Sequence, residues 1–365
     1  AANRAKDVFL ATLSHELRTP LTPVVGWIKL LRSGSLDGKG IVQALDAIER
    51  NAWLQSRLID DLLDTSRIAT GKLHFEPRPT DLNISVNAAL DTVKAAAASR
   101  QITLSICQSL VPLVVLGEPV RLQQIAWNLI SNAIKFSEPG GSVKVTTEAI
   151  DNSVKLIVED TGIGIAPDFL PHVFDRFRQA DGSTSRVHGG LGLGLAIAHA
   201  LTVMHEGELV AESEGVGSGA KFTLTLDLVP GASLAPNPES KKTHSLLGLE
   251  ILIVEDSEDT LALLSTLFDR EGAQVRTASS ASEALERAVE RRPDLVVSDI
   301  GMPDTDGFEF LRQLKGLEGL DDVPAIAISG YAGEDDRARA LDVGYLALIP
   351  KPIDVEDLFG VINSV

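Results

Sequence analysis

Apolar residues recur at helical spacing through the first part of the chain. A seven-residue repeat predicts a long helix over 3–33, with apolar positions at Leu10, Leu13, Leu17, Leu21, Val24, Ile28 and Leu31. Pro20 and Pro23 lie inside this helix, so we expect a bend there. A second helix follows a glycine- and serine-containing turn, with apolar positions from Ile41 to Leu62. Two such helices cannot bury their apolar faces alone, which predicts an all-α helical hairpin over 1–70 that forms a dimeric four-helix bundle.

The pattern changes after about Gly71. Short apolar stretches predict strands at 72–75, 102–106, 143–147, 154–159, 209–213 and 221–226. Helices are predicted near 81–99, 118–136 and 191–205. Strands and helices in this mixed order indicate an α+β sandwich over 71–230, with helices on one face of a sheet.

A segment rich in proline, glycine and serine comes next, and we assign 231–248 as a linker. Five short apolar strands then alternate with amphipathic helices, at 251–254, 274–277, 295–297, 325–328 and 347–349. This order predicts a doubly wound, flavodoxin-like α/β fold over 249–365, whose site belongs at the carboxyl ends of the strands. The chain is therefore predicted to be multidomain.

Composition narrows the classes of partner. The 365 residues are 44% hydrophobic and carry a formal net charge of -18, which favours folded domains and argues against a nucleic-acid partner. The single cysteine, Cys107, lies in an apolar run and is expected to be a buried, inert thiol. No stretch is long enough to span a bilayer, and the chain does not begin with methionine. We expect a cytoplasmic fragment, with membrane tethering through an absent N-terminal part as the alternative.

His15 is the first candidate for chemistry. At ~100° per residue it lies ~140° around its helix from Leu10, which turns it away from the apolar stripe. It belongs to the run SHELRTPL over 14–21, which resembles, residue for residue, the phosphorylated histidine box of sensor histidine kinases. The resemblance implies that a neutral His15 attacks the γ-phosphorus of ATP, with Glu16 as general base. It also implies that Thr19 orients water for a phosphatase reaction, while an ordinary solvated helix face stays the alternative interpretation of Glu16 and Arg18.

A second motif, NLISNAIKF over 128–136, places two asparagines one helical turn apart on the same face. It resembles the N-box of the GHKL fold, which histidine kinases share with gyrase-type ATPases. The resemblance implies that Asn128 and Asn132 face the nucleotide, Asn132 as a Mg²⁺ ligand, while Lys135 reaches phosphate and Phe136 flanks the base. GHKL proteins that hydrolyse ATP have a glutamate where this chain has Asn128, which favours transfer to His15 over hydrolysis.

Three further motifs complete the predicted nucleotide site. The run DTGIGI over 160–165 resembles the first glycine box, in which Asp160 would accept from the adenine amino group. The residues expected close to the ligand there are Gly162, Gly164 and Ile165. FDRFR over 174–178 resembles the F-box, and its expected site residues are Phe174, Arg176, Phe177 and Arg178. GGLGLGLAI over 189–197 resembles the second glycine box, whose amides at a helix start favour phosphate, with Gly190, Leu191, Gly192, Leu193 and Gly194 as site residues. Residues 179–187 are predicted to form a mobile lid.

Acidic residues end two strands of the last domain. Glu255 and Asp256 follow the first strand, and Asp299 ends the third. These ends are neighbours in a doubly wound sheet, so the three carboxylates would repel one another unless a divalent cation, by default Mg²⁺, lies among them.

The run DIGMPDTDG over 299–307 resembles the phosphoacceptor loop of response-regulator receivers. The resemblance implies that Asp299 accepts the phosphoryl group and that the Gly301 carbonyl joins the Mg²⁺ ligands. It also implies that Ser329 and Lys351, which follow the fourth and fifth strands, contact phosphate oxygens. Many receivers carry an aromatic residue three positions before the lysine, where this chain has Leu348.

Together these motifs resemble the transmitter and receiver of a hybrid sensor histidine kinase, with an α+β GHKL sandwich between hairpin and receiver. The resemblance implies ATP-dependent, Mg²⁺-dependent autophosphorylation of His15, followed by transfer to Asp299. It implies a homodimer formed through the hairpin, and a downstream histidine phosphotransfer protein or response regulator as partner. Two alternatives stay open: a signalling scaffold whose receiver holds the kinase inactive, and a phosphatase that uses Thr19.

Overall fold

The computed structural model describes residues 2–178, 191–229, 246–330 and 334–362. Gly190, the predicted lid over 179–187 and most of the predicted linker lie outside the described residues. The chain divides into two compact units, Ala1–Ala235 and Pro236–Val365, and each is described by itself. In the described parts, no helix combines the length and the hydrophobicity needed to cross a membrane.

The first unit begins with the predicted helical hairpin. Helix α1 spans Ala2–Arg32 and helix α2 spans Gly38–Ala69. Asp37 caps α2, because its carboxylate accepts a hydrogen bond of 2.7 Å from the Gly40 amide. The two prolines expected to bend α1 lie inside a helix that continues past both of them to Arg32.

An α+β sandwich follows, as predicted. Its elements are β1 (Arg78–Asp81), α3 (Leu82–Ser99), β2 (Thr103–Gln108), β3 (Val114–Gly117), α4 (Pro119–Phe136), β4 (Ser142–Ile150), β5 (Ser153–Asp160), α5 (Gly194–Met204), β6 (Glu208–Glu212) and β7 (Ala220–Asp227). The main sheet has the order β2-β4-β5-β7-β6, antiparallel except for the β2–β4 pair. Alternate residues of its strands, such as Val145 and Leu224, share one buried core with α3, α4 and α5. The helices therefore cover one face of the sheet.

Two local predictions in this unit are wrong. Residues 72–75 form no strand; instead β1 begins at Arg78 and pairs with β3, which the sequence pattern did not predict. The apolar side chains that suggested a strand pack individually, since Leu73 contacts the core and the Phe75 ring lies 4.5 Å from the His205 ring. Cys107 is exposed rather than buried, because β2 is an edge strand of the main sheet.

The second unit is the predicted doubly wound sheet. Its elements are β8 (Glu250–Val254), α6 (Glu258–Arg270), β9 (Gln274–Ala278), α7 (Ala281–Glu290), β10 (Leu295–Asp299), α8 (Gly307–Lys315), β11 (Ala325–Ser329), α9 (Glu334–Val343), β12 (Ala347–Pro350) and α10 (Val355–Ile362). The five strands are parallel in the order β12-β11-β10-β8-β9. Two separate apolar clusters pack against the sheet, which matches a sheet covered by helices on both faces. This topology brings the carboxyl ends of β8, β10, β11 and β12 to one edge.

Candidate functional site

His15 is an exposed part of the candidate site. Its side chain is 78% exposed on α1, and its Nδ1 lies 3.6 Å from Glu16 Oε1. Nε2 is therefore the ring nitrogen that this carboxylate does not engage. The Thr19 hydroxyl, one turn further on, donates a hydrogen bond of 2.9 Å to the His15 carbonyl oxygen. The helix thus presents an imidazole to solvent with one acidic group beside it.

A cavity of about 350 Å³ lies in the first unit and brings together most of the residues expected to bind the nucleotide. The predicted residues that line it are Asn128, Asn132, Lys135, Phe136, Asp160, Gly164, Ile165, Arg178, Leu191, Gly192, Leu193 and Gly194. They come from α4, from the end of β5 and the loop after it, and from the start of α5 and the loop before it. The size and the mixture of apolar walls with few polar groups are typical of a small-molecule site.

Asp160 provides a carboxylate at the end of β5. Its Oδ1 accepts hydrogen bonds from the amides of Gly162 at 2.8 Å and Ala220 at 3.3 Å, which fix the side chain in the cavity wall. Burial raises the pKa of Asp160, while the two amide hydrogen bonds oppose the rise. Its carboxylate oxygens can accept a hydrogen bond from a ligand amine.

Glycines are required around the cavity because the protein's own backbone leaves no room for a side chain. A Cβ at Gly162 would meet the Phe136 carbonyl, and one at Gly164, where φ is +69°, would meet the Gly215 carbonyl. Gly192 also has positive φ and lies against the Arg178 carbonyl. Larger residues at these places would push apart the loops that form the cavity.

Helix α5 begins at Gly194, and its N-cap residue, Leu193, makes no capping hydrogen bond through its side chain. The side chain of the N-cap residue therefore does not occupy the first amides of this helix, and an anion at the cavity wall would be stabilised there. Asn128, on the neighbouring α4, is 3% exposed, and its Nδ2 has no hydrogen-bond partner among the described residues. Burial lowers the pKa of Lys135, an effect that the Glu16 carboxylate opposes.

The F-box residues do not all reach the cavity. Phe174 stacks on His199 with ring centroids 5.1 Å apart and packs against the core, because its ring fills space between α5 and the sheet. Arg176 and Phe177 are exposed and do not line the cavity. Only Arg178 does, and its Nη1 donates to Asp175 Oδ2 at 2.9 Å. Gly162 supports the wall without lining it.

Four residues of α2 that were not predicted from the sequence also line the cavity: Leu54, Arg57, Leu58 and Asp61. Their spacing of three and four places them on one face of the helix. The predicted bundle face of this helix runs through other positions between Ile41 and Leu62, so the sequence pattern did not set these four residues apart. Their contact with the cavity depends on tertiary packing, which no sequence pattern within α2 indicates.

The second unit contains an acidic pocket at the edge predicted for it. Ligand atoms of Glu255, Asp256 and Asp299 lie within 4.8 Å of one another. The Lys351 ammonium donates to Glu255 Oε2 at 2.7 Å and to Asp299 Oδ2 at 2.8 Å. The Gly301 amide donates to the other Asp299 oxygen at 3.0 Å.

The electrostatics of this pocket follow from its burial. The Glu255 side chain is 1% exposed, and burial raises its pKa against the effect of the Lys351 hydrogen bond. For Lys351, burial lowers the pKa, but the hydrogen bonds to Asp299 and Glu255 outweigh it and the pKa rises. Three oxygen-bearing acids around one lysine leave an excess of negative charge that a hard divalent cation can offset.

The remaining residues predicted for this pocket lie at the same edge of the sheet. Ser329 ends β11 and is 5% exposed. Leu348 is 1% exposed in the core beside it, so the position that is often aromatic is filled by an aliphatic side chain. Tyr345 is also buried, and its hydroxyl donates to the Gly307 carbonyl oxygen at 2.7 Å.

Three family models match the chain in succession. Residues 5–71 match the His Kinase A (phospho-acceptor) domain. Residues 117–230 match the histidine kinase-, DNA gyrase B-, and HSP90-like ATPase. Residues 251–363 match the response regulator receiver domain.

Curated relatives align with nearly the whole chain. Sensor protein EvgS of Escherichia coli (strain K12) is 31% identical over 98% of this chain and 30% of its own length. Virulence sensor protein BvgS of Bordetella bronchiseptica is 32% identical over 100% of this chain and 31% of its own length. Aerobic respiration control sensor protein ArcB of Escherichia coli (strain K12) is 30% identical over 100% of this chain and 47% of its own length. The chain thus spans less than half the length of these relatives.

Among solved structures, the crystal structure of ShkA full-length in complex with AMPPNP is 25% identical, with a TM-score of 0.45. The match covers 98% of this chain and 72% of that chain.

Proposed function

Since the chain belongs to the hybrid sensor histidine kinases, we propose that it moves the γ-phosphoryl group of ATP to His15 and then to Asp299. The observation that carries the proposal is the combination of an exposed imidazole, a nucleotide-sized cavity and a lysine-bridged acidic pocket in one chain. Each of these three features alone is compatible with several functions, but together they supply a donor site, a carrier and an acceptor.

The first step uses the ring nitrogen that Glu16 does not engage. The lone pair of His15 Nε2 forms a bond to the γ-phosphorus as the bond to the β–γ bridging oxygen breaks, and ADP leaves with that electron pair. The ring then carries an extra positive charge, and the proton on Nδ1 passes to the Glu16 carboxylate 3.6 Å away. Glu16 thereby acts as the general base.

The cavity positions the substrate for this step. Asp160 accepts from the adenine amino group, while Phe136 and Ile165 pack against the base. Lys135, Arg178 and the uncapped amides at Gly194 stabilise the phosphates. Asn132, supported by Asn128, would hold Mg²⁺ through its side-chain oxygen.

The second step takes place in the acidic pocket. An Asp299 carboxylate oxygen attacks the phosphorus, the P–N bond breaks, and the imidazole keeps the electron pair and regains a proton. Lys351, which contacts Asp299, and Ser329, which ends β11, would contact the phosphate oxygens. Glu255, Asp256, Asp299 and the Gly301 carbonyl fit a hard cation by their oxygen atoms, and Mg²⁺ held there would neutralise the developing charge.

The assembly follows from uncovered apolar surface on the hairpin. Leu21, Val25, Ile28, Val42 and Leu45 are each at least 40% exposed in the single chain. We infer that a second copy covers this surface to form a homodimeric four-helix bundle. We also infer a cytoplasmic setting and a downstream histidine phosphotransfer protein or response regulator that takes the group from Asp299.

The test is incubation with γ-labelled ATP and Mg²⁺. The wild-type chain should acquire label, and Asp299→Ala should accumulate an acid-labile, alkali-stable phosphohistidine. His15→Gln should acquire none at either position. Label on Asp299 in the His15→Gln chain would refute the order of the relay, and a wild-type chain without label would refute the kinase.

A further inference from the structure

The α2 residues that line the nucleotide cavity lie near the level of His15 along the hairpin axis. His15 lies seventeen residues before the end of α1 at Arg32, and Gln55 lies seventeen residues after the start of α2 at Gly38. The two antiparallel helices rise equally per residue, so His15 is level with Gln55. Leu54 and Leu58, which line the cavity, are within one turn of that level. The cavity therefore opens onto the hairpin at the height of His15.

Helix α1 of the same chain contributes contacts on either side of the histidine. Leu13 packs against the apolar core of the α+β sandwich over 71–230, which is the ATP-binding domain of the proposed kinase. Glu16 is close enough to Lys135, in the cavity wall, to affect its pKa. Two residues close to His15 on this helix, one before it and one after it, are thus within range of the ATP-binding domain of their own chain.

Two sets of contacts hold the domain against α2. The Arg57 guanidinium lies 3.4 Å from the centroid of the Trp127 ring, and Trp53 completes the cluster with its ring 5.7 Å from Trp127. Two turns further along, Asp64 Oδ2 accepts hydrogen bonds of 2.8 Å from Arg121 and of 2.8 Å from Gln124. These charged side chains are largely buried, so the pair is both strong and costly to break.

The cavity side of this interface has polar groups without partners. Nε and Nη2 of Arg57 and Oδ1 of Asp61 are buried and make no hydrogen bond within the described residues. Buried groups of this kind are ordinarily paired. Because both residues line the cavity, a bound nucleotide or its water shell can supply the missing partners.

We propose that the ATP-binding domain docks on α2 of its own chain through the Arg57–Trp127 and Asp64–Arg121 contacts, and that this docked state phosphorylates His15 of the same chain. The inference rests on the proposed kinase function. It adds that the phosphoryl group passes to the histidine of the same protomer and not to that of the partner. Arg57, Asp64 and Arg121 are positioning residues, since they act by presenting the cavity to His15.

Heterodimers test whether the transfer occurs within one protomer or between the two. One protomer carries His15→Gln, its partner carries Asn132→Ala, and different tags on the two allow sequential purification of the mixed dimer. Transfer within a protomer leaves this dimer unlabelled, because neither chain has both the histidine and a working nucleotide site. Label on the Asn132→Ala chain would overturn the proposal. The wild-type dimer, labelled in parallel, tests the kinase function itself, so failure of that function is seen separately.

If the chain is a monomer and no doubly tagged particle forms, the labelling rate per wild-type chain decides the question. A rate that stays constant on dilution supports transfer within one chain, and a rate that falls overturns it.

Charge reversal tests the docking contacts. Asp64→Arg and Arg121→Asp should each lower the autophosphorylation rate constant roughly tenfold, since a buried charged pair is lost. The double variant should recover part of that loss, which a simple structural defect would not do. Lys94→Asp, in an exposed ion pair with Asp91 on α3, is the matched control. Single variants that are autophosphorylated at the wild-type rate would overturn the proposal. Single variants that are autophosphorylated faster would also overturn it, because the docked arrangement would then be an inactive state of the kinase.

Discussion

Asp61 offers a quantitative test of the interface between α2 and the ATP-binding domain. Burial raises the pKa of its carboxyl from 3.8 to about 6, against the effect of the nearby Arg57 and with a further rise from Asp64 and Asp60. The folded protein therefore binds a proton more tightly than the unfolded chain does. The contribution of the Asp61 carboxyl to the stability of the folded protein is greatest below pH 4, falls as the pH rises towards 6, and is lost above that value. The difference corresponds to about 3 kcal/mol.

Asp61→Asn removes the charge and keeps the shape of the side chain. We expect this variant to be more stable than the wild type at pH 8 by up to about 3 kcal/mol, and the gain to shrink towards pH 4.5. The measurement is urea unfolding followed by tryptophan fluorescence. Trp27, Trp53 and Trp127 are the chain's three tryptophans and all lie in the first unit, so the signal does not report the receiver.

The control is Asp46→Asn, an exposed aspartate on the same helix, which should change stability little at either pH. His205, whose pKa burial lowers, also makes stability depend on pH. Its contribution cancels when variant and wild type are compared at the same pH. A difference between Asp61→Asn and wild type that is equal at pH 4.5 and pH 8 would refute the reasoning.

Three further outcomes follow from single contacts. Gly164→Ala should weaken ATP binding, measured by calorimetry, by roughly tenfold or more, because φ is +69° and the Gly215 carbonyl blocks a Cβ; Gly26→Ala, in open space on α1, should bind normally. Lys351→Met should destabilise the receiver by about 1–3 kcal/mol in thermal unfolding followed by circular dichroism. Added Mg²⁺ should restore most of this loss, and no recovery would argue against a cation site among the three acids. Tyr345→Phe should destabilise the receiver by about 1 kcal/mol, since it removes the buried hydrogen bond from the hydroxyl to the Gly307 carbonyl oxygen; an unchanged melting temperature would contradict this.

The sequence predicted what depends on local pattern and on simple topology. Asp299 and Lys351 are far apart in the chain, yet their meeting could be foreseen because parallel strands bring their carboxyl ends to one edge. The prediction of a strand at 72–75 was wrong because the apolar side chains of Leu73 and Phe75 pack against other residues without forming a strand. The observed β1 is rich in polar residues, so the apolar pattern did not reveal it. The stacking of Arg57 on Trp127 joins two distant helices, and no spacing within either helix indicates it.

The net charge of the whole chain does not determine which ligand the cavity binds. A net charge of -18 opposes an anionic partner at long range. The cavity, however, is lined by Arg57, Lys135 and Arg178 against the acids Asp61 and Asp160. At physiological salt, screening reduces the effect of charges beyond about 8 Å, so most of the chain's surface carboxylates are scarcely felt there. With the amides at the start of α5 added, the local balance favours a polyphosphate, and the excess acid elsewhere does not oppose its binding.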